Sequence, residues 1–138
     1  MKLDAAQARE RFAAARVARL STVDSNGNPH LVPVTFAVNG DTVVIAVDAK
    51  PKRSKELKRL RNIEANPSVS LLVDEYSEDW SRLWWVRADG NARVQRDAER
   101  MREPIDWLAG KYQQYRQSRP DGPVIEVQVG NWSGWSAA

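Results

Sequence analysis

VARLSTVDSNGNPHLVPVTFAVNGDTVVIAVD, residues 17–48, is the most informative segment of this 138-residue chain. VARLSTV at 17–23 reads as a strand. SNGN at 25–28 contains Asn26-Gly27, and an Asn-Gly pair between apolar runs is the strongest short hairpin signal. The next strand is HLVPVTFAV, about 30–38. NGD at 39–41 makes a second turn into TVVIAVD at 42–48. Two hairpin turns in succession predict an antiparallel meander of three strands.

The flanking sequence extends this pattern. Residues 4–16 predict a helix capped by Asp4. KPKRSKELKRLRNIEAN at 50–66 carries Leu57, Leu60 and Ile63 at a spacing of three, which suits a helix with one buried stripe. Pro67 ends it. SVSLLVDEY at 68–76 predicts a fourth strand. RLWWVRADGNARVQ at 82–95 predicts one long strand or a hairpin about Asp89-Gly90. Residues 97–117 predict a helix, with Pro104 as its expected interruption. VIEVQVGNW at 124–132 predicts the last strand. The sum is one domain over residues 1–138, mainly β with flanking helices. Its six or seven short antiparallel strands point to a barrel or sandwich.

Composition narrows the chemistry. There are no cysteines, which excludes disulfides, thiolate metal sites and a cysteine nucleophile. His30 is the only histidine, and no metal-ligand spacing accompanies it, so no metal is expected. No G-x-G-x-x-G, Walker-type or G-x-S-x-G loop occurs. No apolar run reaches the ~18 residues of a membrane span. The N-terminal MKLDAAQARERFAAARVARL is charged throughout, so no signal peptide is expected and the protein is read as cytoplasmic.

Charge is concentrated rather than large. Lys and Arg number 21 against 18 acids, a net of +3. Lys50, Lys52, Arg53, Lys55, Lys58, Arg59 and Arg61 are cations within one short block, and Ser54 adds a hydroxyl. A loop running into a helix N-terminus, lined with cations, suits a phosphate or polycarboxylate. The alternative is a solvated helix face, which fits residues 58–61 better than 50–53.

Six tryptophans are many for this length. Trp84 and Trp85 are neighbours in a strand and point to opposite faces. One fits a barrel core; the other fits a subunit interface or a flat aromatic ligand. Trp132 and Trp135, near the end of the sequence, are expected to bury against a partner subunit or a ligand. Pro33 cannot donate to a ladder, so its strand is an edge or is bulged. The backbone around Pro33, Val34 and Thr35 is then free to meet a planar heterocycle.

Together ARLSTVDSNGNPHLVPVTF (18–36), KPKRSKELKRLRNIEANP (50–67), SLLVDEYSEDWSRLWWVRADG (70–90) and WSGW (132–135) resemble the pyridoxamine-phosphate-oxidase-like (PNPOx-like) family. Within it they are most similar to the actinobacterial branch that uses the deazaflavin coenzyme F420. The resemblance covers nearly the whole chain. It implies an FMN-binding split β-barrel, a homodimer with cofactors at the subunit interface, and oxidoreductase activity. By this resemblance Pro33, Val34 and Thr35 lie against the ring. Lys50, Lys52, Arg53 and Ser54 hold the phosphate and oligoglutamate tail. Asn62 matches an Asn of the N-[IL]-x-x-[ND]-P segment, and Arg59 the basic residue three positions before it. Trp80 aligns with a Trp near the cofactor, and Trp84 is counted with it.

The expected function is hydride transfer from reduced F420 to a small conjugated or heteroaromatic acceptor. The cofactor carries that chemistry, so no catalytic acid–base set is required of the chain. The proton comes from solvent, with His30 and Tyr76 as the candidate side chains. FMN-dependent chemistry on the same fold is the alternative, since FMN also offers a phosphate. A non-catalytic cofactor carrier, or a nucleic-acid binder using the basic helix, is the third reading. The modest net charge weighs against nucleic acid, and no membrane partner is expected.

Overall fold

The computed structural model describes residues 1–47 and 57–138. Lys50, Lys52, Arg53 and Ser54 lie outside the described residues. Helix α1 (Ala5–Ala14) starts at Asp4. The Asp4 carboxylate accepts from the Gln7 amide at 2.8 Å, and the Gln7 side chain accepts from the Asp4 amide at 3.0 Å. This reciprocal box satisfies two backbone donors at the helix start.

Among the described residues, seven antiparallel strands make one sheet. They are β1 (Ala18–Val23), β2 (Pro29–Val34), β3 (Ala37–Asn39), β4 (Thr42–Ala46), β5 (Ser68–Glu75), β6 (Trp84–Gln95) and β7 (Val124–Ser136). Helix α2 (Lys58–Ala65) precedes β5. Helices α3 (Ala98–Lys111) and α4 (Gln113–Gln117) lie between β6 and β7. The order across the sheet is β2-β1-β5-β6-β7-β4-β3. Gly27, at φ +83°, supplies the left-handed residue of the first hairpin turn.

The meander is present with a break in its middle strand. β2 pairs with β1, and β3 pairs with β4. The stretch 29–39 therefore contributes to both edges of the sheet, and Thr35 and Phe36 join them. The alternation of side chains is not interrupted: Val34 and Phe36 are in the barrel core and Val38 packs against it. What changes at the joint is the hydrogen-bonding neighbour. The barrel is thus closed through a peptide link, which is a split barrel.

Two cores result. Inside the barrel, Leu20, Ile45, Leu71 and Val73 meet Ala8 and Phe12 of α1 and Leu60 and Ile63 of α2. On the outer face, Val44, Ala46 and Val124 meet Met101, Ile105 and Leu108 of α3.

Of the two readings of residues 82–95, one long strand is the one that forms, over Trp84–Gln95, with a bulge against β7 at Asp89-Gly90. A Cβ on Gly90 would run into the Gln128 carbonyl, so the bulge needs glycine. α3 continues through Pro104, which is buried, and the interruption falls at Tyr112. β7 extends to Ser136, beyond the expected end at 132. That extension corrects the expectation for Trp132. Pairing with β6 carries the segment across the barrel under α1, so Trp132 is buried in its own chain's core. It meets Phe12 edge-on at 5.3 Å and donates from Nε1 to Asp41 at 2.9 Å. Trp135 stands on the outer face opposite Trp85 in register.

Candidate cofactor-binding site

Helix α2 lies against β1 and β6. The Asn62 amide nitrogen donates to the Thr22 hydroxyl at 3.0 Å, a buried bond that ties the helix to β1. Asn62 is therefore first a docking residue. Arg59 precedes it by three positions, hence on the same side of the helix. His30 stands opposite Thr22 in the β1–β2 register, and paired residues share a face. Register and helical spacing thus direct Arg59 and His30 toward one end of the barrel.

Both are left incomplete. Arg59 Nε and His30 Nδ1 are buried atoms without a hydrogen-bond partner among the described residues. Burial is the cause that lowers the Arg59 pKa. A half-buried guanidinium with an open Nε–H is an anion donor in waiting, because an unmet buried donor is costly. Its neighbour Lys58 is occupied: Nζ lies 3.5 Å from Asp24. The Asp24 carboxyl is held below its usual range, first by the Asn28 amide, then by the Asn26 amide and Lys58. Both amides donate to it at 2.9 Å. Lys58 is thus part of the hairpin turn, and Arg59 is the cation of this pair that faces the barrel.

Pro33 is exposed on β2, an edge strand, as a ladder-breaking residue requires. Val34 turns into the barrel core. Thr35 is half-buried, with its hydroxyl 2.8 Å from the Tyr115 hydroxyl. Trp80 is exposed in the 3-10 turn Trp80–Arg82, and Tyr76 is exposed just beyond β5. Trp84 packs against the barrel core, donates from Nε1 to Glu75 at 3.1 Å and lies under Arg11.

The outer face of β2, β1 and β5 is bare of helices among the described residues. It presents Leu31 at 66% and Leu72 at 39% exposure, and further along the sheet Trp135 at 40%. Arg19 lies opposite both Pro33 and Leu72 in register. Beside that face, on β6, burial pushes the Asp89 carboxyl up, but the Ser70 hydroxyl and Arg87 outweigh it and the net shift is down. Ser70 donates to Asp89 at 2.7 Å and Arg87 at 3.0 Å.

A groove of about 810 Å³ lies elsewhere, between α3 and the outer face of β4, β6 and β7. Thr42, Arg93, Gln95, Glu103, Trp107 and Glu126 are among its walls, and no residue selected from sequence lines it. The sequence reading also passed over Lys111, Tyr112 and Tyr115, which sit beside the Thr35–Phe36 joint. Two tyrosines three apart at the end of an expected helix were the available signal.

The chain matches the family model for pyridoxamine 5′-phosphate oxidase over residues 5–136. Among solved structures it is similar to a FAD-binding protein from Mesorhizobium loti, at 21% identity and TM-score 0.75, over 97% of this chain and 95% of that one. It is similar to the heme storage protein HutZ from Vibrio cholerae, at 18% identity and TM-score 0.71, over 97% and 95%. A FAD-binding protein from Mycobacterium smegmatis matches at 18% identity and TM-score 0.65, over 98% and 97%. These likenesses show a common fold. No curated protein matches the chain.

Proposed function

The chain belongs to the pyridoxamine 5′-phosphate oxidase family, and from that premise we propose that it is a coenzyme F420-dependent oxidoreductase acting on a small conjugated or heteroaromatic acceptor. The observation that carries the reading is the half-buried Arg59 with its unpartnered Nε. A cofactor with a phosphodiester answers that donor. His30, with its open Nδ1, stands at the same end of the barrel as a second polar contact.

The reduced ring, when bound, supplies the hydride. The chain's own residues bind and orient. Arg59 offers a donor to the phosphate, and Lys50, Lys52, Arg53 and Ser54 are assigned to the phosphate and tail. The backbone at Pro33, Val34 and Thr35 is assigned to the ring. The bare outer face of β2, β1 and β5 is assigned to a second subunit, since apolar side chains exposed together mark a contact surface. Exposed Trp80 then has a ring from the partner subunit as its site of burial. Tyr76 and His30 stay as proton-donor candidates behind solvent.

FMN is the second reading. Structural neighbours described as FAD-binding favour it. Titration of the purified protein with F420 and FMN in parallel, followed by tryptophan fluorescence, separates the two. Stronger F420 binding supports the deazaflavin reading, and the reverse order moves the protein to flavin. Binding without turnover of any acceptor leaves a cofactor carrier. Arg59→Gln is expected to weaken the phosphorylated cofactor roughly tenfold or more, as loss of a charge-assisted bond does. It should leave a tail-less ring nearly unchanged. Equal loss for both would remove the phosphate assignment.

A further inference from the structure

Thr35 and Phe36 belong to neither β2 nor β3. Their polar groups are engaged by the elbow between α3 and α4. The Phe36 amide donates to the Tyr112 hydroxyl at 3.2 Å, and that hydroxyl donates to the Arg16 carbonyl at 2.8 Å. One buried tyrosine therefore spans the split, from the joint to the residues that lead into β1. The Thr35 and Tyr115 hydroxyls are 2.8 Å apart. Lys111 donates from Nζ to the Ala13 carbonyl at 3.1 Å and lies 3.8 Å from the centroid of the Phe36 ring. Arg16 covers the other aromatic, 5.0 Å from the Tyr112 ring. Tyr112 and Tyr115 meet edge-on at 5.6 Å.

The elbow is built for this contact. Tyr112 is extended, at φ −116° and ψ 122°, between two helical segments. Neither Pro nor Gly stands at 112 or 113 to force the break. A helix that continued would carry Tyr112 away from the joint. The break places two hydroxyls three residues apart on the two adjacent residues of the joint.

We propose that Tyr112 and Tyr115 are positioning residues for the ring end of the site: they fix the Thr35–Phe36 joint, and with it the backbone edge and the Thr35 hydroxyl offered to the ring. The inference rests on the reading that residues 33–35 meet the ring. Tyr115 sets which way the Thr35 hydroxyl points, and Tyr112 sets the path of the backbone.

The test uses ring pairs that differ only in the phosphate-bearing tail: F420 with a tail-less deazaflavin, and FMN with riboflavin. Within the pair that the wild type binds, Tyr115→Phe should raise both Kd values together, by roughly three- to tenfold for one hydrogen bond. Their ratio, which reports the phosphate, should not move. Thr35→Val should behave like Tyr115→Phe, and Thr35→Ser should keep wild-type affinity. A general loss of structure would also raise both values together, so it is excluded by the serine rescue and by an unchanged unfolding midpoint in Tyr115→Phe. In the cofactor-free protein, Tyr112→Phe should speed amide exchange at Phe36. Unchanged Kd values in Tyr115→Phe and Thr35→Val overturn the positioning role while the cofactor reading stands. A wild type that binds no ring overturns both, and the exchange rate then reports the clasp alone.

Discussion

Over β3, β4 and the start of β7, α3 lays Met101, Ile105 and Leu108 on Val44, Ala46 and Val124, and all six are buried. Over β2, β1 and β5 the same face of the same sheet leaves Leu31 and Leu72 in solvent. Strand β4, TVVIA, is apolar on both faces, whereas β1, ARLSTV, alternates, and both regions have their interior face filled by one core. They differ in whether the chain supplies its own cover. A half-sheet that spends a helix on one region and none on the other has a surface to offer. Leu31 and Leu72 are large apolar side chains left on that surface without cover among the described residues.

Leu108→Ala tests the covered half. It removes a fully buried side chain beneath α3 and should cost about 2–5 kcal/mol in equilibrium denaturant unfolding. A loss below ~1 kcal/mol would mean that α3 is only loosely seated. Leu72→Asp tests the bare half. It should change unfolding of the single chain by no more than ~0.5 kcal/mol, yet, with the proposed second subunit seated on that face, shift sedimentation from dimer to monomer. If the mass in solution is unaffected, the bare half is not the subunit contact. A third effect, seen only at alkaline pH, is expected at the margin of the cover, at Lys111. Burial, followed by the positive charge of Arg16, lowers its pKa from the ordinary 10.5 to about 8. Between about pH 8 and 10.5 the unfolded chain therefore holds a proton that the folded chain has released. This group makes stability rise with pH across that window, and the contribution is absent below it, where both states are protonated. Lys111→Met should flatten the rise; an identical slope in the variant would place the titration elsewhere.

Much of the fold was legible because its signals are local. Asn26-Gly27 needs no distant partner to make a turn, and Gly27 takes the positive φ that the pair advertises. Leu60 and Ile63 disclose the buried side of α2 by spacing alone. The break at Thr35–Phe36 was not legible. Val34, Phe36 and Val38 keep their alternation across it, and the hydroxyl that holds it belongs to Tyr112, far along the chain. The same contact hid the interruption of α3, for which Pro104 was the local but mistaken signal. Trp132 was misjudged because its burial depends on how far β7 pairs with β6. At the site, the sequence singled out Arg59 and His30 by residue type and family pattern. That their buried nitrogens lack partners is a property of packing around them. Asn62 carried the family signature, while its bond to Thr22 shows a docking role that the pattern does not express.

The joint at residues 35–36 also bears on solubility. Open sheets end in strands whose unpaired amides invite a stranger's strand, and proteins blunt such ends with short strands and proline. Here the two ends of the sheet are successive pieces of one segment. One, β2, carries Pro29 and Pro33, and the other, β3, has only three residues. Neither presents a long row of free amides to a passing chain. A substitution that straightened the joint into one continuous strand would expose such a row, and its first symptom would be association into fibrils or aggregates.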